Sequence, residues 1–378
     1  MLTRAQLKQL AAPASDGPVT SLYLRVDGRR HIRQGYQARL KDLVRQQRQA
    51  LPGRKLSPGE LSSVEQDLRR IQAYVDTELD RKGTKTVAIF SSAQAGLWKV
   101  VRLPLPLASL MTVRRVPYIT PLALVLEGER AYGVILVDRA RARLFHILLG
   151  HPEGVVDLER APLGKHEKVR LSRAEKRLER HAIEEEHHHY RTVAARAQEY
   201  FRAHRCAGIV LGGHQEILPL FEGFLSAELA DGVVERIHLE PDAPLDTAAK
   251  RAWEVKQQFE QVRKQGLVEE LEERLARKAG LGVVGLKQTL QALQLGQVGL
   301  LLVREGYGAT GSQCRECGAL STSSRRCEIC GSATEALTDV VGEAIARAFQ
   351  QGAQIEQIPG GTLLDRSGKI GALLRYRL

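Results

Sequence analysis

Aromatic residues, cysteines and long apolar runs are all scarce in this sequence, and each shortage excludes a class of protein. Aromatic side chains make up 5% of 378 residues, too few for an extended platform that stacks the bases of a single strand. Apolar runs such as Leu300 to Val303 fall far short of the roughly 20 residues that span a bilayer. The N-terminus, MLTRAQLKQL, mixes charges with apolar residues where a signal peptide has a continuous apolar core. A cytoplasmic protein with no membrane partner is the expectation. Four of the five cysteines form a pair of pairs near the C-terminus, and Cys206 stands alone in the run CAGIVL. That is metal spacing in a reducing compartment, and Cys206 is expected to be free and buried.

What the sequence has in excess is positive charge, in one place. Residues 1–117 hold 21 Lys+Arg against 9 Asp+Glu (21 − 9 = +12), residues 118–245 hold 17 against 20 (17 − 20 = −3), and residues 246–378 hold 18 against 15 (18 − 15 = +3). Twelve uncompensated cations on the first third build a field that attracts a polyanion. Nucleic acid, met through its backbone and shape, is the expected partner. Arg29, Arg30, Arg33, Arg54 and Lys55 cluster at the turns around the first helices and are the candidate RNA contacts. Lys165, Lys168, Arg170, Arg173, Lys176 and Arg177 form a second basic stretch.

The chain divides by pattern into three segments, 1–117, 118–245 and 246–378. The first reads as a strand at Ser21–Val26, a basic helix over about 33–49, the Pro/Gly stretch LPGRKLSPGE, and a helix with Leu61, Val64, Leu68, Ile71 and Val75 on one face. The strands TVAIFSS and GLWKVVRLPLP follow. In the second segment YGVILVD and ARLFHILL predict a hairpin, and CAGIVLGG and VVERIHLE later strands. Between them lies a helix whose Tyr190, Val193, Ala194, Ala197, Tyr200 and Phe201 share a core face. The third opens with a charged helix over about 247–278. It continues with a helix carrying Leu286, Leu290 and Leu293 that ends at Gly296, the strand VGLLLV, the cysteine insertion at 312–333, a helix with Val340, Val341, Ala344, Ile345 and Ala348, and strands at Gln354–Ile358 and ALLRYRL. Apolar runs alternating with helices predict an α/β (α+β) fold of three domains.

Cys314, Cys317, Cys327 and Cys330 are spaced C-x2-C-x9-C-x2-C, and each pair is followed by a glycine that lets the backbone turn both thiolates onto one ion. Structural zinc is expected, with iron in a rubredoxin-like site as the alternative; four thiolates leave no position for an activated water. His187, His188 and His189 diverge by about 100° each on a helix, so they are read as helix surface and core rather than as metal ligands. Two Gly-x-Gly-x-x-Gly strings, Gly280/Gly282/Gly285 and Gly306/Gly308/Gly311, lack the strand before or the helix after that a phosphate site requires. LGGHQE at 211–216 has His214 between its glycines and Gln215, and reads as a turn between a core strand and a helix.

Several segments resemble the archaeal and eukaryotic class 1 release factors and Pelota. FRAHRCAGIVLGG after HHHYRTVAARAQEYF, and YITPLALVLEGERAYGVILVDRARARLF before it, resemble that family's middle domain. LGVVGLKQTLQALQLGQVGLLLV, the cysteine knuckles and GGTLLDRSGKIGALLRYRL resemble its C-terminal domain. The resemblance implies a small α+β N-terminal domain, an RNase H-like middle domain and a ribosomal-protein-like C-terminal domain with a zinc ribbon. The family's Gly-Gly-Gln is replaced here by LGKHEKVRLSRAEKRLERH, and its Asn-Ile-Lys-Ser by LPGRKLSPGE, which keeps only Lys55 and Ser57. The match is therefore to the bacterial Pelota-like and Balon-like branch. It implies a monomeric occupant of the ribosomal A site that meets rRNA of both subunits, is delivered by an elongation-factor-Tu-like GTPase, and performs no peptidyl-tRNA hydrolysis. The rival readings are a hydrolase that uses His166 or His181 in a diverged loop, and an RNA-binding protein outside translation.

Overall fold

The computed structural model describes residues 4–11, 17–27, 33–53, 56–128, 130–159, 173–277, 280–323 and 325–376. They form two compact units, one of residues 1–128 with 265–378 and the other of residues 129–264.

The first unit opens with α1 (Arg4–Ala11), β1 (Val19–Arg25), α2 (Arg33–Ala50), α3 (Pro58–Thr77), β2 (Thr86–Ser92), β3 (Leu97–Leu103), β4 (Leu110–Arg114) and α4 (Thr120–Gly128). The strands make an antiparallel sheet in the order β3-β2-β1-β4. Successive side chains of a strand point to opposite faces, and here both faces are covered. Leu22, Leu24, Val87 and Ile89 meet Leu40, Val44, Leu68 and Ile71 of α2 and α3. Tyr23, Ala88 and Phe90 enter a second core shared with α1, α4 and the end of the chain. Ser57 starts α3 with a capping box: its hydroxyl accepts from Glu60 N at 3.3 Å and its own N–H donates to Glu60 Oε2 at 2.8 Å. The Lys-x-Ser echo noted in the sequence is thus a helix cap at its serine.

The second unit contains β5 (Tyr132–Val137), β6 (Arg141–Leu148), β7 (His151–Glu159), α5 (Arg173–His204), β8 (Ile209–Gly213), α6 (Leu218–Glu222), α7 (Ala227–Asp231), β9 (Val233–Ile237) and the first part of α8 (Leu245–Ala276). Its sheet runs β7-β6-β5-β8-β9, an antiparallel meander β5-β6-β7 followed by β8 and β9 parallel to β5. This is the RNase H-like order. Ile135, Val137 and Leu211 face Tyr190, Val193, Ala197 and Phe201 of α5; Val134, Leu136 and Val210 face Ala248, Ala252 and Val255 of α8.

The rest of α8 rejoins the first unit, followed by β10 (Gly282–Val284), α9 (Leu286–Gln294), β11 (Val298–Arg304), β12 (Gly311–Cys314), β13 (Leu320–Ser321), β14 (Thr334–Leu337), α10 (Val340–Gln350), β15 (Gln354–Ile358) and β16 (Ile370–Leu374). The order β10-β16-β11-β15 makes a mixed sheet, and β13-β12-β14 a small ribbon. Gly296 has φ +69, its N–H donating to Leu293 O at 3.1 Å while Gln297 N donates to Ala292 O at 3.0 Å, a complete Schellman close for α9. The division in space does not follow the linear thirds. α4, read above as the start of the middle segment, packs with α10 and β15 in the first unit through Thr120 Oγ1, which donates to Gly342 O at 2.7 Å. α8 belongs to both units in turn.

Candidate metal centre and nucleic-acid interface

The ribbon brings the four expected cysteines together, their Sγ atoms all within 4.8 Å of one another. Cys314 to Cys330 is 3.4 Å, Cys317 to Cys327 is 3.5 Å and Cys330 to Cys317 is 3.6 Å. A tetrahedron with metal–sulfur bonds of ~2.3 Å has edges of roughly 3.8 Å, so the donor set and spacing fit one tetrathiolate ion. The two knuckles repeat one backbone design. Gly318 N donates to Cys314 O at 3.1 Å and Gly331 N to Cys327 O at 2.9 Å; Cys314 N donates to Ala319 O and Cys327 N to Ser332 O, each at 2.8 Å. Both glycines have positive φ, +70 and +73, which explains the glycine after each pair. Hydrogen bonds from the Ser332 side chain and backbone draw the Cys330 thiol down to about 6, and backbone N–H groups of Cys330 and Ile329 lower Cys327. Thiolates are the form a metal takes. Cys206 stands apart, half-buried in the core of the second unit, where burial pushes its thiol up to about 12.

The candidate RNA contacts fall outside what can be placed. Arg29, Arg30, Arg54, Lys55, Lys165, Lys168 and Arg170 lie outside the described residues, as does His166. The backbones of Arg33 and of Arg173, Lys176 and Arg177 are helical, in α2 and α5, with side chains outside the described set. One described basic surface lies on the helix over about 33–49 that the sequence marks as basic. Lys41, Val44, Arg45, Arg48, Gln49 and Gln72 line a shallow cleft of about 550 Å³. There Arg48 grips Glu65 with two nitrogens, at 3.1 and 2.5 Å, and Arg45 reaches Asp42 at 2.7 Å. Its signal was the i, i+4, i+7 spacing of Lys41, Arg45 and Arg48 on one side of α2.

The remaining motifs resolve as structure. Among the described residues, no His/Cys/Asp/Glu group besides the four thiols gathers for a metal. His189 is buried, His187 tilts against the Phe224 ring at 5.2 Å and His188 is exposed, so the triple histidine diverges; the most buried of the three is His189. In LGGHQE both glycines lie within β8 and the turn begins at His214. A Cβ on Gly212 would come within 2.5 Å of Leu136 Cδ2, and one on Gly213 within 2.6 Å of Val137 O. Gly285 starts α9 after a three-residue strand that lies inside its own glycine string, and the string ending at Gly311 leads into β12 and the knuckles.

In the second unit a buried histidine escaped the sequence reading. His146 lies 2.7 Å from Tyr200 Oη through Nδ1, and the Tyr200 hydroxyl donates to Glu153 O at 3.1 Å. The His204 ring is 4.4 Å from that of His146. Burial, then the neighbouring His204, holds the His146 pKa below its ordinary value, with Glu153 opposing. No helix among the described residues is long and apolar enough to cross a membrane.

Comparison with known proteins gives one consistent answer. Residues 117–257 match the family described as Bacterial archaeo-eukaryotic release factor family 10. Peptide chain release factor subunit 1 of Thermococcus kodakarensis is 29% identical over 290 residues, covering 68% of this chain and 69% of the relative; that of Thermococcus onnurineus is 28% identical over 289 residues, with the same coverage. Among solved structures, Saccharomyces cerevisiae Dom34, described as a translation termination-like factor interacting with Hbs1, is 9% identical with a TM-score of 0.41, covering 78% of this chain and 79% of that one. With the family match on its middle third and the archaeal matches over two thirds of its length, the chain is similar to the archaeal release factors and, over residues 117–257, to their bacterial relatives.

Proposed function

We propose that this chain is a ribosome-binding translation factor, a tRNA mimic that occupies the ribosomal A site in rescue, quality control or hibernation and leaves the peptidyl-tRNA ester intact. One observation carries the reading. The chain aligns with archaeal release factor subunit 1 over 68% of its length, yet LGKHEKVRLSRAEKRLERH at 163–181 holds one glycine, Gly164, and no glutamine. Release chemistry needs a water in line with the ester carbonyl and donors placed for the developing oxyanion. Paired glycines allow that close approach because no Cβ intrudes. Here the stretch offers Lys165, Lys168, Arg170, Arg173, Lys176 and Arg177, which suit phosphates and crowd an ester.

On this reading the basic first segment, through Arg29, Arg30, Arg33, Arg54 and Lys55, meets small-subunit RNA, and the second basic stretch meets large-subunit RNA. The ion in the ribbon is zinc, in a structural role. The factor acts in the cytoplasm as a monomer with three functional segments, 1–117, 118–245 and 246–378, and an elongation-factor-Tu-like GTPase delivers it. Cosedimentation with 70S ribosomes at low salt, together with a peptidyl-tRNA release assay on complexes with a vacant A site, tests the proposal. Occupancy with an intact ester is the expected result. Multiple turnovers abolished by changing His166 or His181 would establish a hydrolase instead, and binding to free RNA without preference for ribosomes would place the protein outside translation.

A further inference from the structure

α10 carries one residue whose surroundings its own helix does not explain. Arg347 lies half-buried between α9 and the first knuckle, donating through Nη1 to Gln294 Oε1 at 2.6 Å and through Nη2 to the carbonyl of Gly318. Both partners are neutral. Among the described residues no carboxylate pairs with Arg347, although 20 other described arginines form such pairs, from Arg4 to Arg315. A guanidinium withdrawn from water without an opposing charge is costly. Gly318, which it grips, directly follows Cys317, so the guanidinium sits one peptide away from a thiol of the metal set.

A divalent ion held by four thiolates keeps a net charge of two negatives. We propose that Arg347 is the counter-cation of that tetrathiolate centre, a positioning residue that binds the first knuckle through the Gly318 carbonyl and returns positive charge to the thiolate cluster. The arrangement works in both directions. The cation offsets the negative charge of the filled centre, and the filled centre holds Arg347 in place, so metal occupancy is felt by α10. Gly318 suits the contact: its φ of +70 is a conformation that favours glycine, and a Cβ there would lie 3.6 Å from Arg347 Nη2, still leaving the guanidinium room.

The experiment is zinc affinity of the full chain, measured by competition with a chromophoric chelator, for the parent, Arg347→Gln, Arg347→Lys and the control Arg277→Gln, whose arginine pairs with Glu273 on the surface. Cobalt(II) charge-transfer bands at saturating metal establish that each variant forms the tetrathiolate. The expected result is a loss of about 10–100-fold for Arg347→Gln, most of the affinity kept by Arg347→Lys, and none lost by the control. Parent-like affinity in Arg347→Gln would overturn the proposal. So would equal losses in the glutamine and lysine variants, which would trace the effect to packing of the arginine stem. The parent protein supplies an arm that needs no variant: removing zinc with a chelator should speed amide exchange across residues 344–350, and unchanged exchange there would also overturn it.

Discussion

Tyr118 donates its phenol to Asp339 Oδ2 at 3.0 Å, joining residues 221 positions apart. The other oxygen of the same carboxylate accepts from Gly342 N at 2.9 Å and so caps α10. Burial, reinforced by the Asp339 charge, raises the Tyr118 pKa well above its ordinary value, so the phenol stays a donor at all physiological pH. Asp339→Ala removes both bonds and is expected to cost about 2–4 kcal/mol, whereas Asp339→Asn, which keeps an acceptor for the cap, should lose roughly 1 kcal/mol. Urea unfolding of the full chain reads both; equal losses in the two variants would dismiss the shared role.

The buried histidine sets a pH limb. Because the folded pKa of His146 lies below its unfolded value of about 6.5, the folded state binds fewer protons than the unfolded one. Its contribution is therefore complete above about pH 6.5 and is lost as pH falls below that value. The groups facing His146 are Tyr200 and His204 from α5 and Glu153 from β7. Thermal unfolding of the second unit between pH 8 and pH 5 should show the limb, and His146→Gln should flatten it.

Two glycines should respond in opposite directions. A Cβ on Gly133 would meet the Phe201 ring at 2.5 Å, with Phe201 4% exposed and unable to withdraw. Gly133→Ala is expected to destabilise by about 1–3 kcal/mol. Gly59, in the first turn of α3, has nothing within 4 Å, and Gly59→Ala should stabilise by up to about 1 kcal/mol. Denaturation midpoints of the two variants decide.

Elemental analysis should find one zinc per chain. Cys327→Ser should abolish it and unfold the ribbon, whose core among the described residues is Cys314, Ala319 and Cys327. The circular dichroism of the rest of the chain should persist. Stoichiometric iron in place of zinc would revise the ion and leave the ligand set standing.

If Arg29, Arg30, Arg33, Arg54 and Lys55 neutralise about five phosphates, ribosome affinity should fall with salt at a log-log slope of roughly −4, and each charge removed should lessen it by about one. A flat salt dependence would refute the assignment.

Local signals were legible in the sequence and long-range ones were not. The knuckles, the core face from Tyr190 to Phe201, the β5-β6 hairpin and the Gly296 close all lie within a few residues and carry their own geometry. β7 was passed over because HPEGVVDLE is an exposed edge strand, without the alternation that marks a half-buried one. The core shared by Tyr23, Phe90, Val340 and Phe349 leaves no periodic trace, since its partners lie more than 200 residues apart. Arg347 reads as the polar side of an amphipathic helix until the ribbon folds over it. The stretch at 160–172, which bears most directly on function, lies outside the described residues.

The sheet of β1 to β4 is clothed on both faces, and the garments arrive at different times. As the chain leaves the ribosome, α2 and α3 cover the face of Leu22 and Ile89 almost at once. The face of Tyr23 and Phe90 meets α1 and α4 early but waits for α10 and β16 to complete its core. At ~5–20 residues per second, synthesis of the stretch between β4 and α10 takes on the order of 10–50 s. For that interval the nascent chain presents an apolar surface that its last quarter has yet to finish covering, which makes the first third a client for chaperones during synthesis and a poor candidate for expression by itself.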